Sequence, residues 1–209
     1  MSVFNRDPKT GLLSQKSGTA GCLTEDGDDD TGATTCATAR LTEGTFPLLI
    51  APNGKTLYNG DSNDGLSTFH INRSGTLSQL PSTNGCMTVD GKDNTNASTC
   101  AIGRAVGDPY GGALSTDGRT LYLANDSGST VGGVAVFRLN KKTGVATQLA
   151  GNWGCITGDV TASGATGTCA DGRALGYGYG MSITPDGKFV YEATDYRGAG
   201  LAIYRRKAK

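Results

Sequence analysis

Five carboxylates, Glu25, Asp26, Asp28, Asp29 and Asp30, stand between Cys22 and Cys36 in the stretch GCLTEDGDDDTGATTC. Asp26, Asp28 and Asp30 alternate as the oxygen ligands of a calcium loop do, although an EF-hand would also require flanking helices and a glutamate at its twelfth position. The same stretch also reads as a surface loop closed by a disulfide, its acids facing water. Two sister stretches serve as internal controls: VDGKDNTN lies between Cys86 and Cys100, and GDVTASGA between Cys155 and Cys169. The cysteines keep a separation of 14 positions while the carboxylates fall from five to two to one. Thiolate metal sites use shorter spacings such as C-x2-C, so the pattern predicts three disulfides: Cys22–Cys36, Cys86–Cys100 and Cys155–Cys169. Closing each loop of about 15 residues removes roughly 3 kcal/mol of unfolded-chain freedom and places the protein in an oxidising, extracellular or secreted setting. No cofactor is required on this reading, and calcium at Asp26, Asp28 and Asp30 is the alternative chemistry of the first loop.

A second recurring set pairs an arginine with an aromatic residue six positions on: Arg40 with Phe46, Arg104 with Tyr110, and Arg173 with Tyr179. A guanidinium offers a planar donor fork and an aromatic ring an apolar platform, a combination suited to an anionic small ligand or a sugar face. The sole histidine, His70, falls at a strand position whose counterparts are Asn5, Arg138 and Arg205, which predicts a polar, exposed slot. No G-x-S-x-G elbow is present, and Glu25, Glu43 and Glu192 have no context that would pair them for acid and base work, so no catalytic residue is assigned. Sequons at Asn72, Asn96 and Asn125 would matter only in a eukaryotic secretory pathway.

The elements that must carry these residues repeat three times. Equivalent cysteines are 64 and 69 residues apart, and Gly11, Gly75 and Gly144, then Tyr58, Tyr122 and Tyr191, keep nearly the same steps. Each repeat holds a hairpin signal, Asn-Gly or Asp-Gly between short apolar runs, in LLIAPNGKTLYN, GALSTDGRTLYL and MSITPDGKFVYE. A third strand follows (LSTFHIN, VAVFRLN, LAIYRRK) and then a fourth (LLSQ, TLSQL, VATQL), so four antiparallel strands make one propeller blade. The fold class is therefore all-β, a single repeat domain over residues 1–209 with repeats at about 3–67, 68–135 and 136–202 and a terminal strand at 203–209.

SVFNRDPKTGLLSQ, CADGRALGYGYGMSITPDGKFVY and VFRLNKKTGVATQLAG resemble the repeats of bacterial lactonase-like, YVTN-type β-propellers, especially a secreted group with a cysteine-bearing loop in each blade. The resemblance covers nearly the whole chain. It implies the propeller fold and, for function, either a lactonase-like hydrolase or a binding and structural scaffold, since a fold hosts many activities. The chain is out of phase with its blades: Ser2 to Gln15 matches a third and fourth strand, and Tyr179 to Arg205 a first, second and third. Three blades are too few to surround an axis, which predicts a homodimer of about six blades, with an excerpt of a longer repeat protein or a head-to-tail filament as the alternatives. Nineteen basic and nineteen acidic residues leave no net charge, so no nucleic-acid partner is expected, and no apolar run approaches the roughly 20 residues of a membrane-spanning helix. The opening MSVFNRDPKTG has no apolar signal core, so no signal peptide is expected in it.

Overall fold

A computed structural model describes residues 1–61, 65–126, 132–158, 169–173, 175–195 and 200–206. Its described residues form strands and short 3-10 turns and no α-helix. The chain opens with a partial blade: the hairpin β1 (Phe4–Arg6) and β2 (Leu13–Gln15), then the parallel pair β3 (Leu23–Thr24) and β4 (Ala37–Thr38). Blade I follows with β5 (Thr45–Ile50), β6 (Thr56–Asp61), β7 (Gly65–Ile71), β8 (Leu77–Gln79), β9 (Cys86–Thr88) and β10 (Ala101–Ile102). Blade II repeats it as β11 (Pro109–Leu114), β12 (Thr120–Asn125), β13 (Gly133–Leu139), β14 (Ala146–Gln148), β15 (Cys155–Thr157) and β16 (Ala170–Asp171). Among the described residues, blade III has three strands, β17 (Tyr177–Ile183), β18 (Phe189–Asp195) and β19 (Gly200–Arg205). This is the architecture of propeller blades in an incomplete ring.

The first hairpin of each blade turns as its sequence predicts, with one refinement. Gly54, Gly118 and Gly187 take φ of 67°, 64° and 68°, while Asn53, Asp117 and Asp186 stay outside the left-handed region. Their side chains instead accept the backbone N–H two residues on, at Lys55, Arg119 and Lys188. The turn therefore needs glycine for its dihedral and Asn or Asp as a local acceptor.

The fourth strand departs from the simple four-strand reading. A 3-10 turn at Ser82–Asn84, and its counterpart at Gly151–Gly154, breaks it in two, and both pieces pair with the third strand. β8 pairs the end of β7 and β9 its beginning. The cysteine loop then returns to lay a two-residue strand parallel to the second piece, Ala101 beside Met87 and Ala170 beside Ile156. All three predicted disulfides are present, each with Cα atoms 4.8 Å apart, pinning the loop at the point where it rejoins the sheet.

Packing between blades explains the burial patterns along the strands. β6 and β12 are buried almost throughout, because blades I and II each have a neighbour on both faces. Tyr58, Leu66, Leu121 and Phe137 share one core between blades I and II, and Tyr122, Val134, Val136 and Val190 another between blades II and III. A smaller core of Leu23, Ala39, Leu57 and Phe69 joins the N-terminal partial blade to blade I. β18, with a neighbour on one side only, alternates: Val190, Glu192 and Thr194 are buried while Ala193 and Asp195 are exposed. Strand periodicity of two thus reads out directly which face of a blade is covered.

Candidate functional site

The innermost strands β5, β11 and β17 lie side by side around the axis. At Gly111 a Cβ would come within 3.0 Å of the Gly180 backbone nitrogen, so glycine there permits the close approach of β11 and β17. The aromatic residues beside these glycines meet as a result. Ring centroids of Phe46 and Tyr110 are 6.1 Å apart, and those of Tyr110 and Tyr179 are 5.7 Å apart, both pairs tilted. Phe46 and Tyr179 remain 57 % and 54 % exposed, so the three rings form an arc whose outer members are open to solvent. Tilted rings at such spacings attract one another and hold a stable apolar surface.

Two of the arginines paired with these rings in sequence are bonded elsewhere. The Arg40 guanidinium donates to the carbonyls of Thr99, Leu80 and Ser82, and its backbone N–H and Nε donate to Gln79 Oε1. Arg104 repeats this on Leu149 and Gly151, with its backbone N–H on Gln148 Oε1. The glutamines answer by donating from Nε2 to the carbonyls of Arg40 and Arg104. Both arginines therefore fasten the outer strand and 3-10 turn of the blade that follows them in the chain, and Arg40 its cysteine loop as well. Arg173 is exposed and makes no hydrogen bond among the described residues.

In the first cysteine loop, the organising carboxylate is Asp29. It accepts the Thr31 hydroxyl and N–H, the Ala33 N–H and the Thr35 hydroxyl, and these bonds hold its pKa well below the usual range. Asp93 does the same with Thr95, Ala97 and Thr99; desolvation pushes its pKa up, but the hydroxyl and amide donors prevail and hold it at about 2. The signal for this role was in the sequence, where DDTGATTC and DNTNASTC share D-x-T-x-A-x-T-C. Asp28 accepts the Thr34 hydroxyl, and Asp26 accepts the Asp28 N–H. Among the described residues no group of three or more His, Cys, Asp or Glu side chains is arranged to hold a metal ion.

One carboxylate that sequence reasoning left without a role stands out. Glu192 is fully buried between blades II and III, and desolvation pushes its pKa up to about 7 despite a 2.5 Å hydrogen bond donated by the Tyr204 hydroxyl to Oε2. Oε1 has no hydrogen-bond partner among the described residues, and a Cβ on Gly178 would lie 2.4 Å from it, so the carboxyl sits directly behind the strand that carries Tyr179. Burial also raises the Tyr204 hydroxyl, reinforced by the Glu192 charge. The matching strand positions in blades I and II hold Asn59 and Leu123, so only an alignment of repeats on the tyrosine could have drawn attention to it. His70 is exposed on β7, and Asn125 is buried with its Nδ2 donating to the Ala105 carbonyl, which makes that sequon structural.

No family model matches the chain, and no curated protein does. Among solved structures, the periplasmic gluconolactonase of Pseudomonas aeruginosa superposes with a TM-score of 0.55 at 17 % identity, over 98 % of this chain and 45 % of that one. A putative 6-phosphogluconolactonase of Bacteroides uniformis aligns over 99 % of this chain and 60 % of its own, at 19 % identity and a TM-score of 0.38. The first likeness establishes a propeller fold similar to that of lactonase-like proteins, and this chain spans less than half of that protein's length. Three disulfides belong to the chemistry of an oxidising compartment, and among the described residues no helix is long and apolar enough to cross a membrane.

Proposed function

We propose that the protein is a secreted, disulfide-stapled binding scaffold whose channel mouth takes the apolar face of a sugar or sugar-derived ring. The observation that carries this reading is the solvent-open arc of Phe46, Tyr110 and Tyr179, held in place by β-strands rather than by loops. Rigid rings present a platform at low entropic cost, and a sugar stacked on them keeps its hydroxyls in water. The gluconolactonase of similar fold is named for a sugar lactone, which is consistent with this ligand class.

Titration of a panel of monosaccharides, aldonates and sugar lactones, followed by tyrosine fluorescence or NMR shifts, tests it. Binding that weakens at least tenfold in Tyr110→Ala, the central ring, supports the assignment. Unchanged binding in that variant removes the arc from consideration.

A hydrolytic reading draws on Glu192, whose pKa of about 7 suits proton transfer and which lies behind Tyr179. Its burial keeps it from any ligand in the present arrangement. Turnover of a lactone panel that disappears in Glu192→Gln would favour hydrolysis, whereas turnover retained in that variant would exclude Glu192.

A further inference from the structure

We propose that the chain closes its ring with a second copy of itself, the last strand of each copy taking the place that residues 1–6 of the other hold in the isolated chain. This goes beyond the ligand reading and does not depend on it. The two blade interfaces inside the chain are templates for the one it leaves open.

Each end of the array leaves apolar strand positions uncovered. On the trailing face, Leu201 and Ile203 of β19 are 59 % and 62 % exposed. Their register partners across β18 place them at the positions of Val134 and Val136, which are buried against blade III. On the leading face, Leu48 and Ile50 of β5 are also exposed, at the positions where Met181 and Ile183 pack against blade II. One face therefore offers the side chains that the other is built to receive, the self-complementarity a closed assembly needs.

The arginine clamp gives the same answer at atomic detail. A Cβ on Gly85 would meet the Leu80 carbonyl at 2.1 Å and Arg40 Nη2 at 2.5 Å; on Gly154 it would meet the Leu149 carbonyl at 2.1 Å and Arg104 Nη2 at 2.3 Å. Gly21 has the equivalent carbonyl, that of Lys16, at 2.1 Å, and no arginine beside it. The Gln15 side chain donates from Nε2 to Gly21 as its counterparts do to Gly85 and Gly154, yet its Oε1 accepts nothing among the described residues. Arg173, the third arginine of the series, lies in the C-terminal repeat without a partner among the described residues. Docked head to tail, Arg173 of one copy reaches Gln15 and the Lys16 carbonyl of the next.

The same register identifies a competitor. In blade I the Thr68 N–H donates to the Gly85 carbonyl and its carbonyl accepts from Leu80; in the partial blade Val3 makes these bonds with Gly21 and Lys16. Ile203 is the residue of β19 at the Thr68 position, so Val3 of one copy occupies what Ile203 of the other would bond. β1 is short and exposed, with three pairs to β2, whereas β19 has six pairs to β18. The N-terminal strand is the one that yields. Two copies come close to the full length of the gluconolactonase ring and give six blades, within the range of four to eight that propellers adopt.

Sedimentation equilibrium of the chain at tens of micromolar tests the closure. A species of twice the 21.4 kDa chain mass is expected. A single chain overturns the proposal, and so does an open series of larger polymers. Ile203→Asp, at a position exposed in the isolated chain, should be monomeric with an unchanged circular dichroism spectrum; a persisting dimer would place the interface elsewhere. Arg173→Ala should weaken association roughly tenfold. Deletion of residues 1–6 should preserve or tighten the dimer, and loss of the dimer on that deletion would reject the strand exchange.

Discussion

Arg104 and Arg173 hold the same place in successive repeats, yet one is tied to two carbonyls of the blade that follows it and the other reaches into solvent. The difference lies in the blades: blade II supplies its own fourth strand, and blade III shows three strands among the described residues. A repeat array thus carries its own control. What is satisfied in the middle and unsatisfied at the ends marks where the chain is incomplete as a unit.

The comparison between blades can be sharpened by substitution. The largest effect is expected at Glu192, where blade III buries a carboxyl at the position Leu123 holds in blade II. Its folded-state pKa of about 7 lies above the ordinary 4.5, so the folded chain keeps a proton that the unfolded chain releases. The stability this carries is complete below about pH 4.5 and is lost as pH rises through 7, a change on the order of 3 kcal/mol. Urea unfolding from pH 4 to 8 should show this decline, and Glu192→Gln should flatten it; the same decline in the variant would assign it to other groups.

A smaller effect separates the two arginines directly. Arg104→Ala leaves the Leu149 and Gly151 carbonyls without their donor and should cost about 2 kcal/mol in urea unfolding. Arg173→Ala, measured under dilute monomeric conditions, should stay within about 0.5 kcal/mol of the parent. Equal losses in the two variants would mean that Arg173 is already engaged within one chain. The smallest effect is expected in the cysteine loops. Asp29 holds hydroxyls and amides of its own loop, so EDTA should leave the melting temperature unchanged while Asp29→Ala lowers it slightly. A melting temperature that falls with EDTA and recovers with calcium would support the metal reading for Asp26, Asp28 and Asp30.

Much of the architecture was legible because it repeats. The cysteine spacing gave the disulfides, the Asn-Gly and Asp-Gly dipeptides located the hairpins, and the phase of the strands exposed the partial blades. The broken fourth strand was not legible: Ser82–Asn84 and Gly151–Gly154 carry no breaker beyond ordinary turn residues, and the two-residue parallel pairs behind them are too short for periodicity to register. At the site, the three aromatics could be picked out by their repeat, and their contact follows from the close approach at Gly111. Equal sequence spacing did not put Arg40 and Arg104 among the rings, because six residues suffice for the chain to run from the outer strand to the inner one. Glu192 could not be told from Glu25 and Glu43, since burial, and not residue type, is what perturbs it.

Amide hydrogen exchange across a concentration series tests the central claim, that the two ends of the chain compete for one strand position, most directly. As association proceeds, residues 200–205 should become protected while residues 1–6 become faster to exchange. Protection at both ends together, or no change at either, would contradict it.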